Sequence, residues 1–176
     1  YPVNLGEGKL AGAQENDIFY WKGLVCERMN NPAEAVCFYQ RATTGTTEPY
    51  QSVFYNDPQP DKIFYQALAW IKLNNREKAH EMLNRLIDFG AAHLHDHIRI
   101  DYFAVSLPDL LVFETDLDQR NKLHCLYLMG LGNLGLGKSR RAKALDYFNQ
   151  VLAEDCSHTG SIVHKLMDRY TCWQVE

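Results

Sequence analysis

A chain of 176 residues, 46% hydrophobic and 12% aromatic, has enough apolar material for one packed domain without disulfide or metal staples. Its formal net charge of -4, from 18 basic and 22 acidic side chains, lacks the basic excess on which nucleic-acid binding draws, so nucleic acid is set aside as a partner. The most apolar run, residues 103–113, is interrupted by Ser106, Pro108 and Asp109 and is too short to span a bilayer, so no membrane partner is expected.

Apolar residues recur at helical spacing almost everywhere and β-branched alternation never holds for long, which gives an all-α fold class. Residues 1–15 read as an extended lead-in, and the first helix is predicted over Asn16–Arg28 with Phe19, Gly23 and Cys26 on one stripe. Asn31-Pro32-Ala33-Glu34 supplies a cap, a proline at the first helical position and an acid at the third, the reciprocal capping arrangement. This second helix should end near Gly45, closing a hairpin over 16–45, and residues 43–60 form a long loop rich in Gly and Pro. A second hairpin over 61–90 follows, with Asn75 capping its second helix and Gly90 ending it. Residues 91–117 read as a buried helical spine, broken near Leu107 by Pro108. A third hairpin spans 119–155 with Gly137 as terminator, and a capping helix over 158–172 lies in the last segment, 157–176. The total is seven to nine helices in antiparallel pairs, forming one domain over 1–176.

The hairpins repeat. Gly23, Ala35, Tyr39 and Ala42 in the first match Ala67, Ala79, Leu83 and Leu86 in the second, so small residues fall where two helices must approach closely. In the third, Gly130 fits the register, but Ala144 and Phe148 fit only after a slip of two residues. This pattern resembles the tetratricopeptide repeat, a helix-turn-helix unit of about 34 residues that stacks into a curved solenoid. The irregular spacing points to a specific domain of repeat ancestry.

At the level of the whole chain, "YPVNLGEGKL", "YNDPQPDKIFYQALA", "IDYFAVSLPDLLVFETDL" and "LGNLGLGK" resemble the C-terminal helical region of a bacterial family of large proteins of unknown function. In that family a β-rich domain similar to galactose-mutarotase and carbohydrate-binding sandwiches lies upstream. The resemblance implies that the chain is the helical tail of a longer protein, as does its start at Tyr1, with sugar chemistry residing mainly upstream and no catalytic residue assigned in the tail.

His93, Asp96 and His97 are the first candidates for chemistry, because on a helix they would share one face as a facial metal triad. The competing reading, which we prefer, places them in or just after the turn at Gly90, with Asp96 capping the next helix. His124-Cys125 would make a nucleophilic pair only with a lowered thiol pKa, whereas the helix around it is apolar; His158 and His164 have no fixed distance to either group. Residues 130–138, GLGNLGLGK, lack the strand that precedes a phosphate loop, and residues 138–143, KSRRAK, read as a solvated basic face at a helix start. The five cysteines contain no C-x-x-C pair and fit free thiols of a reducing, cytoplasmic compartment.

The remaining constellation is a groove. In tetratricopeptide-like hairpins the first helices line the concave surface, which here would carry an aromatic row, Tyr20, Phe64 and Tyr127, and a leucine row, Leu24, Leu68 and Leu131, with Arg28 and Lys72 at the edge. Such a surface would take an amphipathic helix or an extended peptide, or be filled by the protein's own chain, its upstream domain or a second copy. The expected function is protein–protein or interdomain scaffolding, without catalysis or cofactor. The alternative is an accessory role in a carbohydrate-active site formed with an upstream domain.

Overall fold

The computed structural model describes residues 14–51, 59–98 and 116–167. Among them are seven α-helices and no strand: α1 (Asn16–Arg28), α2 (Pro32–Ala42), α3 (Lys62–Lys72), α4 (Arg76–His93), α5 (Leu117–Gly135), α6 (Arg141–Glu154) and α7 (Thr159–Met167). Residues 1–13 of the lead-in, most of the expected spine and residues 168–172 of the expected capping helix lie outside the described residues.

The α1/α2 and α3/α4 turns are the same object built twice. Asn30 and Asn74 both adopt φ 60°, the left-handed conformation asparagine tolerates best after glycine. The N–H of Asn31 reaches back to Cys26 O at 2.9 Å and that of Asn30 to Glu27 O at 3.0 Å; Asn75 to Trp70 and Asn74 to Ile71 repeat both distances. The paired carbonyls are those a helix C-terminus otherwise leaves orphaned. The second asparagine of each pair then caps the next helix, Asn31 accepting from Glu34 N at 3.4 Å and Asn75 from Lys78 N at 3.1 Å. The reciprocal half of the expected capping box is altered, because the Asn31 N–H is already used by the turn. The Glu34 carboxylate accepts from the Asn31 side-chain amide instead, at 2.7 Å.

Small side chains sit where the helices cross. A Cβ added at Gly23 would stand 2.4 Å from the Tyr39 ring, and one at Gly130 would stand 2.5 Å from the Phe148 ring. The third hairpin therefore uses the same lock as the first, with its extra residues absorbed by Gly137 at φ 103° and a short 3₁₀ turn, Lys138–Arg140. Ala35, Ala67, Ala79 and Ala144 are all buried at these crossings.

Within each hairpin the two helices pack on one another, and each second helix also packs on the first helix of the next pair; α1, α3 and α5 adjoin in that order, and α7 lies on α5 and α6. The helix buried on all sides is α5, unbroken from Cys125 to Gly135. Gly90, expected to end α4, lies inside it. Its missing side chain leaves room for the Cys125 carbonyl of α5, which a Cβ would meet at 2.6 Å, and α4 runs on to His93. In return, a Cβ on Gly132 of α5 would meet Leu83 O of α4 at 2.6 Å. Backbone lies against backbone from both sides.

Helix α2 stops at Ala42, short of Gly45, because Asn16 of α1 donates its side-chain amide to Ala42 O and Thr44 O, both at 2.7 Å. The loop that follows is stitched down by side chains from successive helices: Gln66 donates to Thr46 O at 2.8 Å, Arg85 to Thr47 O at 3.1 Å and His124 to Tyr50 O at 3.1 Å. Loop carbonyls that would otherwise be desolvated without partners are satisfied in this way.

Candidate functional site

The eight groove residues do not form an open surface. Tyr20, Phe64, Leu68, Tyr127 and Leu131 are buried in the shared core, and Leu24 is half-buried against it. Lys72 pairs with Glu27 at 2.7 Å and lies over the Tyr39 ring, tying α3 to the first hairpin instead of standing as a clamp. Arg28 is exposed. The two rows are the seam along which the helices pack.

Part of that seam is closed by α7, through a residue the sequence offered only as a remote ligand. His164 is buried, and its ring stands 5.3 Å from the Phe64 ring and 5.7 Å from those of Tyr65 and Tyr127, centroid to centroid. Both ring nitrogens are engaged. Nδ1 is 2.7 Å from Gly160 O, a pure acceptor, so Nδ1 carries the proton; Nε2 then accepts from the Tyr65 hydroxyl at 3.0 Å. The Tyr127 hydroxyl lies 3.1 Å from Nδ1, and Trp21 of α1 hydrogen-bonds Tyr65. One imidazole thus joins α7 to α3 and α5, and through Tyr65 to α1. Burial pulls its pKa down to about 4, and among the described residues no carboxylate hydrogen-bonds the ring to offset that. The nearby Asp17 is held by Lys62 at 2.7 Å, and burial pushes the Asp61 carboxyl up.

Sequence reasoning missed this because α7 is inside out. Its apolar residues Ile162, Val163 and Leu166 are exposed, while Ser161, His164 and Met167 face the core at spacings of three. The readable signal was that spacing, with a histidine at its centre.

The opening histidine cluster is divided. His93 ends α4, contrary to the expected helix start. Its Nδ1 is 2.7 Å from Asp96, which also accepts from Gln51 at 3.1 Å, while Asn121 caps the helix by donating to His93 O at 2.7 Å. Residues 97 and 98 are not helical, so among the described residues no helix starts at Asp96. His97 turns away to Asp118 at 2.5 Å, whose other oxygen takes the Ile98 N–H; that backbone bond and the His97 contact hold the Asp118 carboxyl below its usual range. Among the described residues no three His, Cys, Asp or Glu side chains converge as a metal site would require.

The neighbours His124 and Cys125 point different ways. His124 binds the Tyr50 carbonyl, and the Cys125 thiol faces Asn121 Oδ1 at 3.7 Å with burial pushing its pKa up to about 11, the reverse of an activated nucleophile. Gly130, Gly132 and Gly135 serve helix packing, Gly137 turns the chain at φ 103°, and the exposed basic run leads through the 3₁₀ turn into α6. No helix among the described residues is long and apolar enough to cross a membrane. No protein-family model and no solved structure matches this chain.

Proposed function

We propose that the chain is a tetratricopeptide-like docking module that binds another domain of its own polypeptide, using the outer face of α1 in place of the self-filled groove. The observation that carries this reading is the stripe Ile18, Trp21, Val25 and Met29, exposed at 46%, 41%, 55% and 75%. Ile18, Val25 and the C-cap residue Met29 lie opposite the core-facing Asn16, Tyr20 and Gly23, and Trp21 stands at the edge of the stripe, where its indole also bonds Tyr65 of α3. Contiguous exposed apolar side chains that include a tryptophan and a methionine are the composition of an interface core. The order of helix contacts supports the repeat-like arrangement, in which an end helix presents the face that a further element would cover. The resemblance to the tail of a larger bacterial protein supplies the direction in which that element would lie.

Hydroxyl-radical footprinting tests this reading. Met29 and Trp21 should oxidise readily in the 176-residue chain and be protected several-fold in the full-length parent, and Val25→Lys should restore oxidation without changing the helical circular dichroism signal. Equal oxidation of Met29 in chain and parent would refute an interface on α1.

A further inference from the structure

We propose that α7 is an acid-released plug, held over the aromatic pocket of Phe64, Tyr65, Tyr127 and Phe148 by neutral His164 and let go when that imidazole is protonated while α1 to α6 stay folded. This does not rest on the docking role of α1.

The geometry separates α7 from the body. It is nine residues long, lies on α5 and α6, and its outer face is exposed, so among the described residues its attachment is the strip of Ser161, His164 and Met167, with Gly160 against the Tyr127 ring and Lys165 donating to Asn149 Oδ1 of α6 at 2.7 Å. The body has its own locks at the α1/α2, α4/α5 and α5/α6 crossings, none of which involves α7.

A second proton on His164 would have to displace an existing hydrogen bond. Nδ1–H is committed to Gly160 O, and a new Nε2–H would face the Tyr65 hydroxyl, which now donates to that nitrogen. Were Tyr65 to turn, its own hydrogen would be left with Met167 Sδ at 3.7 Å, a weak acceptor. Among the described residues, the charged and titratable groups near the ring offer no net rescue. From α1 comes Asp17, neutralised by Lys62 of α3; from the start of α3 come Asp61 and Tyr65; from α5 comes Tyr127, its hydroxyl also held neutral by burial; and from the turn before α7 comes His158, a like charge when protonated. The α6 residue against the ring is Phe148, which is apolar. Once released, His164 regains the ordinary solution value of 6.5 and binds its proton. Opening is therefore favoured as pH falls below that value and levels off near the folded value of about 4. Between pH 7.5 and pH 5 the open fraction of α7 should rise roughly 30-fold.

Amide hydrogen exchange on the full chain at those two pH values, corrected for intrinsic rates, reads this directly. Protection over Thr159–Met167 should fall by about that factor while α3 and α5 hold theirs, and His164→Phe, which fills the pocket without titrating, should remove most of the change, the remainder belonging to His158, whose Nδ1 accepts from Ser161 N at 3.1 Å at the start of α7 and whose pKa burial also lowers. Nuclear magnetic resonance titration of the wild-type imidazole, which needs no variant, should give a midpoint well below the solution value. The proposal is overturned if α7 protection is unchanged between the two pH values, if all helices lose protection together, if the Phe variant opens in acid as much as the wild type, or if the His164 imidazole titrates normally.

Discussion

Replacing Gly132 by alanine sets a helix-stabilising change against a steric one in a way that reports directly on the α4/α5 crossing. In an open helix the substitution gains about 1 kcal/mol, because alanine loses less backbone freedom on folding. Here the new Cβ would stand 2.6 Å from Leu83 O and 2.6 Å from Ile87 Cγ1. The Ile87 side chain can swing aside, but a backbone carbonyl inside α4 moves only with its helix. Ordinary contact would require the two helices to separate by several tenths of an ångström along a seam closed from the other side by Gly90 against Cys125 O. Overpacking of that kind costs about 1–3 kcal/mol, and a site bounded by backbone belongs near the upper end. Subtracting the propensity gain leaves a net loss of about 2 kcal/mol, or a fall in Tm of roughly 4–8 °C for a domain of this size. Thermal melts followed by far-UV circular dichroism measure it. Gly90→Ala should behave alike, and the double variant should fall short of additivity because both changes force the same separation. A rise in Tm for Gly132→Ala would mean that the backbones are not in contact, and the account of α5 as the central helix would fail with it.

Other consequences are equally direct. Leu68→Asp should prevent stable folding, at a loss of about 4 kcal/mol or more, because a carboxylate cannot be buried unpaired in the core; a folded variant by circular dichroism would return Leu68 to an open groove. Asn30→Ala and Asn74→Ala should each destabilise by about 1 kcal/mol in urea titrations, and the glycine variants by less, because the turn needs a left-handed residue at both positions. Peptide mapping after alkylation at pH 8 should show Cys37 and Cys156 labelled and Cys125 untouched until denaturant is added, since Cys125 is buried and its thiol is pushed up to about 11.

The sequence by itself determined what is decided within a few residues of chain. The α1 bounds, the caps at Asn31 and Asn75 and the small-residue register through Gly23, Ala35, Ala67 and Ala79 follow from local turn chemistry and helical periodicity. The slip in the third hairpin was visible for the same reason. Tertiary structure alone decided which groups meet through space. A glycine at position 90 is equally suited to ending a helix or to letting another backbone approach, and only the arrival of Cys125 O from α5 chose between them. The aromatic and leucine rows were readable as stripes, but a stripe has the same spacing whether solvent, a partner or α7 covers it. Histidine is the sharpest case: its imidazole serves at a helix end, beside a carboxylate or as a buried neutral bridge, and His93, His97 and His164 took those roles according to neighbours from 3 to 99 residues away. Helix α7 points His164 inward because Tyr65 and Tyr127 were there to satisfy it, a choice no periodicity within nine residues could encode.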